Sequence, residues 1–241
     1  MKLYRQICIL AFSAASAVSI LAQANPAERR GELSGEVALV QAGAGASTKD
    51  ASQVVVWLAP MNVVQQVRVT QRHYRLLQRN KRFEPGLLVI PVGSVVDFPN
   101  ADPWFHNVFS LYRGKRFDLG LYQAGAQRSV RFDRVGPSYL FCNIHPEMTG
   151  VVLTVDSELF AATDKNGRYS IADVAPGKYV LHVWYENAAP EALEALARPV
   201  NIEAETRTLP LISIAVTKQT QTEHKNKYGQ DYDPDTLKTD Y

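Results

Sequence analysis

Tyr139-Leu140-Phe141-Cys142-Asn143-Ile144-His145-Pro146-Glu147-Met148 is the stretch on which the reading turns. Ser138–Cys142 reads as a β-strand, and a thiol, an imidazole and a thioether follow at the spacing C-x2-H-x2-M. A strand end running into a tight loop can aim all three side chains at one point. A second imidazole comes from a different strand, in the segment Asp97-Phe98-Pro99-Asn100-Ala101-Asp102-Pro103-Trp104-Phe105-His106-Asn107-Val108-Phe109.

Around these two segments, strand signals dominate after residue 33. Short runs rich in Val, Ile, Leu, Phe and Tyr are broken by Gly, Pro, Asn and Asp, the punctuation of an all-β sandwich. Strands are expected at Ser34–Val40, Gln53–Ala59, Leu87–Val92, Ser94–Phe98, Asn107–Leu111, Gln127–Phe132, Ser138–Cys142, Val151–Val155, Arg168–Ile171 and Tyr179–Trp184. Gln41–Ser52, rich in Gly, Ala and Ser, reads as a loop, and Pro190–Leu196 as the one helical piece. From Lys218 the chain turns polar and charged, a composition that cannot bury enough apolar surface to offset ordering, so residues 217–241 are expected to be a disordered tail.

The first 24 residues read as an export signal: Lys2 and Arg5, then an apolar or small run from Ile7 to Leu21, then Ala22-Gln23-Ala24 for cleavage after Ala24. The run is too short and too rich in Ala and Ser for a comfortable membrane span. Removing it leaves 217 residues, and the balance of 26 basic against 24 acidic residues becomes 24 against 24 once Lys2 and Arg5 are gone. Net charge therefore gives no support to nucleic acid or another polyanion as partner. The expected location is the periplasm.

Cleavage also removes Cys8, so Cys142 is left alone in an oxidising compartment that favours paired cysteines. A lone cysteine there is a buried spectator, half of an intermolecular disulfide, or a metal-bound thiolate. His145 and Met148 at their spacing, with His106 upstream, favour the metal. Two imidazoles and a thiolate with a weak axial thioether are the ligand set of electron-transfer copper. Cys142 supplies a strong covalent donor, His106 and His145 borderline donors suited to both oxidation states, and Met148 a soft, weak axial donor. Zinc is the rival, through Cys142, His106, His145 and Glu147, but it leaves Met148 without a reason.

The loop is similar to that of the amicyanin-type cupredoxins, and His106-Asn107 after an Asn/Asp turn resembles plastocyanin. The resemblance covers residues 61–156. It implies a Greek-key cupredoxin domain with one type 1 copper per chain, His106, Cys142 and His145 as equatorial ligands and Met148 as the axial one. It further implies that Asn107 hydrogen-bonds across the two ligand loops, and that electrons leave through the exposed edge of His145. The segment Thr163–Val183, with its Asp-Lys-Asn-Gly turn at 164–167 and Val174-Ala175-Pro176-Gly177, resembles the carboxypeptidase regulatory-like β-sandwich, and Gly35-Glu36-Val37 and Val55–Pro60 fit its earlier strands. The expected architecture is thus all-β: a cupredoxin domain inserted in, or packed on, a second, Ig-like sandwich split between residues 31–60 and 157–216. Chains of this composite kind are often labelled methylamine utilisation proteins, which hints at a dehydrogenase or c-type cytochrome as redox partner.

No enzyme activity is expected, since no second His cluster offers the further coppers of an oxidase or nitrite reductase. The alternatives are a copper carrier or sequestering protein without redox cycling, and an interaction module with a structural copper. His73, His182 and His224 read as bystanders, and Trp104 as a shield for the copper loop. Arg68–Arg82 holds six Lys/Arg and no acid, and Arg113, Lys115 and Arg116 extend the basic character. Such runs read first as solvated faces and second as docking sites for an acidic redox partner.

Overall fold

The computed structural model describes residues 30–41, 50–61, 72–111, 114–216 and 224–232. The expected export signal, most of the Gly/Ala/Ser loop, residues 68–71 of the basic run and Arg113 lie outside the described residues.

The described chain is almost entirely β. Two strands, β1 (Gly31–Gln41) and β2 (Val55–Pro60), come first. The central stretch forms β3 (His73–Arg75), β4 (Leu77–Arg79), β5 (Arg82–Glu84), β6 (Leu87–Pro91), β7 (Val95–Pro99), β8 (His106–Ser110) and β9 (Phe117–Tyr122). It continues with β10 (Gln127–Arg131), β11 (Gly136–Phe141) and β12 (Thr149–Val155). The last part holds β13 (Phe160–Ala162), β14 (Arg168–Val174), β15 (Gly177–Trp184), α1 (Pro190–Leu196), β16 (Arg198–Ile202) and β17 (Ile212–Val216).

The two early strands pair with the late ones. β1 is the middle of a three-stranded sheet, antiparallel to β14 and parallel to β17. β2 lies between β13 and β15 in a four-stranded sheet that β16 completes. Leu33, Val37 and Leu39 of β1 turn inward at the two-residue period of a strand, and β2 is buried along nearly its whole length because it is central. Gly35 stands opposite Tyr169, whose buried ring lies so close that a Cβ at residue 35 would come within 2.3 Å of the phenol oxygen. That cross-strand fit requires glycine.

The central strands make a second sandwich, with sheets β10-β7-β3 and β6-β12-β11-β8-β9 and a β4–β5 hairpin beside them. Its five-stranded sheet is covered on both faces where β6 and β12 run parallel. Val151, Leu153 and Val155 pack into the core built on β1, β2 and β13–β17, with Leu87, Val89 and Tyr139 against them. Val152, Ile90 and Leu140 face the other way into the core of the second sandwich. This explains why β12 is a continuous apolar run, as a strand buried on both sides must be, and not an alternating one. The two sandwiches are joined through this shared sheet.

Deleting residues 31–60 removes the middle strand of one sheet and an interior strand of the other. The expected outcome is loss of cooperative unfolding for β13–β17, read by residue-resolved hydrogen exchange in urea. Retained protection in β14 and β15 would contradict the pairing.

Candidate metal centre

Three side chains from two loops meet at one end of the second sandwich. His106 opens β8 and Cys142 follows the last residue of β11, and the two strands are antiparallel neighbours with Phe109 opposite Phe141. The turn before β8 is shaped by Asn100, whose amide donates to the Trp104 carbonyl (2.7 Å) and whose side-chain oxygen accepts the Asp102 N–H (3.0 Å). An Asx turn of this kind lets the chain reverse and enter the strand with His106 pointing inward.

Nδ1 of His106 lies 3.1 Å from Nδ1 of His145, and Sγ of Cys142 lies 3.9 Å and 3.6 Å from those two nitrogens. His106 and Cys142 are fully buried and His145 half-buried. Among the described residues this is the one cluster of three or more His, Cys, Asp or Glu side chains close enough to share an ion. Met148 is also fully buried, in the same apolar cluster as Cys142. The ligand loop is closed by its own backbone, the Cys142 N–H donating to the Met148 carbonyl (3.2 Å) and the Met148 N–H to that of His145 (3.0 Å).

Burial disfavours the charged form of all three side chains. Burial lowers the pKa of both imidazoles. That of His145 falls to about 4, with His106 and Lys81 adding to the effect and Asp102 opposing it. Burial raises the Cys142 thiol, while hydrogen bonds from the backbone of Asn107, Ile144 and His145 pull the other way. Neutral imidazoles with free lone pairs are what a metal needs, and the three backbone donors offset part of the cost of a buried thiolate.

Asp102, four residues before His106, is a contact the sequence reading missed. Its carboxylate accepts the His106 Nε2–H at 2.8 Å and the backbone N–H groups of Asn80 (2.7 Å) and Lys81 (2.9 Å). Burial works against the charge, but the Lys81 N–H, the His106 ring and the Asn80 N–H together hold the carboxyl below its ordinary value. Asn80 and Lys81, both at positive φ, form the turn of the β4–β5 hairpin, so part of the basic run is bound into the site. Arg75, Arg79 and Arg82 of that run are exposed. Lys81 Nζ stands 5.3 Å from the ring centre of the half-buried Trp104.

The backbone of Asn107 reaches across to the sulfur on the other ligand loop. Its side-chain amide donates to Asp118 (2.8 Å) and to the Gly120 carbonyl (3.0 Å) on β9. A second link to the Cys142 loop runs from Asp118 through the segment expected to be disordered. Within 217–241, residues 224–232 are described and lie against the ligand loop. The Lys227 ammonium donates to Asp118 (2.9 Å) and its backbone N–H to Asn143 (3.0 Å). His224 donates from Nε2 to the Pro146 carbonyl (2.6 Å) and lies tilted against Phe141 with ring centres 4.2 Å apart, while the Tyr232 hydroxyl donates to the Cys142 carbonyl (3.1 Å). The polar composition pointed to disorder, yet a His and a Tyr placed to cap loop carbonyls anchor these nine residues, and His224 is no bystander. His182 instead stacks on Trp57 at 4.9 Å, far along the chain's other sandwich, and His73 is exposed beside Asp97.

No protein-family model matches the chain, and no curated protein matches it. Solved structures resemble part of it. A purple cupredoxin from Nitrosopumilus maritimus is 25% identical over 35% of this chain and all of its own, with a TM-score of 0.31. A reduced amicyanin variant is 18% identical over 42% of this chain and 98% of its own, with a TM-score of 0.33. A copper-containing nitrite reductase from Thermus scotoductus is 24% identical over 34% of this chain, with a TM-score of 0.32, and the chain spans only 22% of that protein. At such scores the reading of the site rests on its own geometry.

Replacing Tyr232 by Phe removes the donor to the Cys142 carbonyl. The expected cost is about 0.5–1.5 kcal/mol in urea unfolding, with faster amide exchange in residues 143–147. Unchanged exchange there would show that the tail segment does not hold the loop.

Proposed function

We propose that the chain is an exported type 1 copper protein that carries single electrons between redox partners. One copper per chain would be held by His106, Cys142 and His145, with Met148 as the weak axial donor. The observation that carries this reading is the triangle of two Nδ1 atoms and one Sγ with edges of 3.1, 3.6 and 3.9 Å. Metal bonds of about 2.0 Å to imidazole and about 2.3 Å to thiolate would give edges of about 3.2–3.5 Å and about 3.5–3.9 Å, so the observed edges lie within about 0.1 Å of what one shared ion would set. The donor set also favours copper over zinc. Met148 is buried beside Cys142, whereas Glu147, the further ligand a zinc site would recruit, is exposed.

Bound copper supplies a one-electron couple and a covalent bond to sulfur. The chain supplies the rest. His106 and His145 turn their Nδ1 atoms toward the Cys142 sulfur, and the apolar cluster around Cys142 and Met148 excludes water. Loop hydrogen bonds fix the donors in one arrangement for both oxidation states. The half-buried ring of His145 is the point of closest approach for a partner, such as a c-type cytochrome or a dehydrogenase in the periplasm. On this reading the sandwich of β1, β2 and β13–β17 is the regulatory-like module its sequence resembles.

Cys142, His106 and Asp102 also stand in the order of a nucleophile, a base and an orienting acid. Hydrolysis is disfavoured because the sulfur has no exposed surface and burial raises its pKa, the reverse of an activated thiol. A copper-delivery role fits poorly for the same reason, since a fully buried thiolate offers an incoming acceptor ligand no point of attack.

One equivalent of Cu(II) should give an intense visible thiolate-to-copper charge-transfer band, and Cys142→Ser should abolish it. A colourless Cu(II) form with an ordinary tetragonal spin-resonance spectrum would overturn the reading. Met148→Leu should keep the band and raise the potential, because it removes even the weak axial donation, which favours the more highly charged ion. A lowered potential would remove Met148 from the site.

A further inference from the structure

We propose that Asp102 is a positioning residue that fixes the tautomer of His106 and biases the centre toward the oxidised ion. The inference deepens the copper reading and rests on it. The Asp102 carboxylate is 4% exposed and the His106 ring is fully buried, so water cannot substitute for either partner. An ionised carboxylate only accepts, so the proton on the His106 ring sits on Nε2, and the Nδ1 lone pair is left facing Cys142 and His145.

The carboxylate is itself held from the far side. Oδ1 accepts the Asn80 N–H, and Oδ2 accepts the Lys81 N–H as well as the imidazole N–H. The Asn80–Lys81 turn, with φ of 54° and 55°, aims both amides at one side chain. Three donors thus keep a negative charge buried one imidazole away from the metal position. That charge makes the ring a stronger donor, and through space it stabilises a doubly charged ion more than a singly charged one. Lys81 Nζ, drawn toward Trp104, is the cation of the same turn.

The test uses the full mature chain and its Asp102→Asn variant. In wild-type protein without metal, imidazole 15N shifts should show His106 as the Nε2–H tautomer alone, and an Nδ1–H tautomer would overturn the proposal whether or not the variant folds. In Asp102→Asn the two tautomers should mix. Affinity for Cu(II) should fall about 10–100-fold while that for Cu(I) falls less. Each tenfold of that difference raises the potential by about 59 mV for one electron. A wild-type charge-transfer band with an unchanged or lowered potential in Asp102→Asn overturns this proposal alone. Absence of the band in wild-type protein overturns the copper reading and this proposal with it.

Discussion

The pairing of β8 with β11 sets everything at the candidate metal centre. With Phe109 opposite Phe141, the cysteine after β11 comes together with the histidine at the start of β8. A slip of one residue would turn Cys142 to the opposite face of the sheet, the side on which Phe141 meets Phe109 and His224. The register is secured because both faces of this sheet are covered. Val151 and Leu153 are committed to one core, Val152 and Leu140 to the other, and each set has somewhere apolar to go.

Much of this was legible in the sequence, and the reasons are physical. Cys142, His145 and Met148 lie on one short loop, where spacing alone limits how far apart they can be. Long apolar strands such as β1, β2, β12 and β15 announced themselves by their Val, Ile and Leu, and the helix Pro190–Leu196 by its proline start. Less visible were β9, where Asp118 and Gly120 interrupt the pattern, and β16, which carries Arg198 and Pro199 at an edge. The β4–β5 hairpin was hidden by its charges, since its strands are only three residues long and expose their arginines.

Asp102 and the tail segment were missed for a related reason. Each acts through backbone groups remote in sequence: two turn amides in one case, the carbonyls of Cys142 and Pro146 in the other. Residue types can suggest a partner for a side chain, but they carry no record of where a main-chain N–H or C=O will point. The spacing Asp102-x3-His106 was the available signal, because a metal-binding imidazole commonly has an acidic partner on its second nitrogen.

The contacts of residues 224–232 bear on how far the centre could be moved to another host. A contiguous graft of residues 72–155 would carry all four candidate ligands and Asp102. It would leave behind the hydroxyl on the Cys142 carbonyl, the imidazole on the Pro146 carbonyl and the ammonium shared with Asp118. It would also lay bare the face of β6 and β12 that now packs on the neighbouring core. The unit of inheritance here is therefore larger than the unit of ligation, and a transplant would have to bring a distant nine-residue clasp with it.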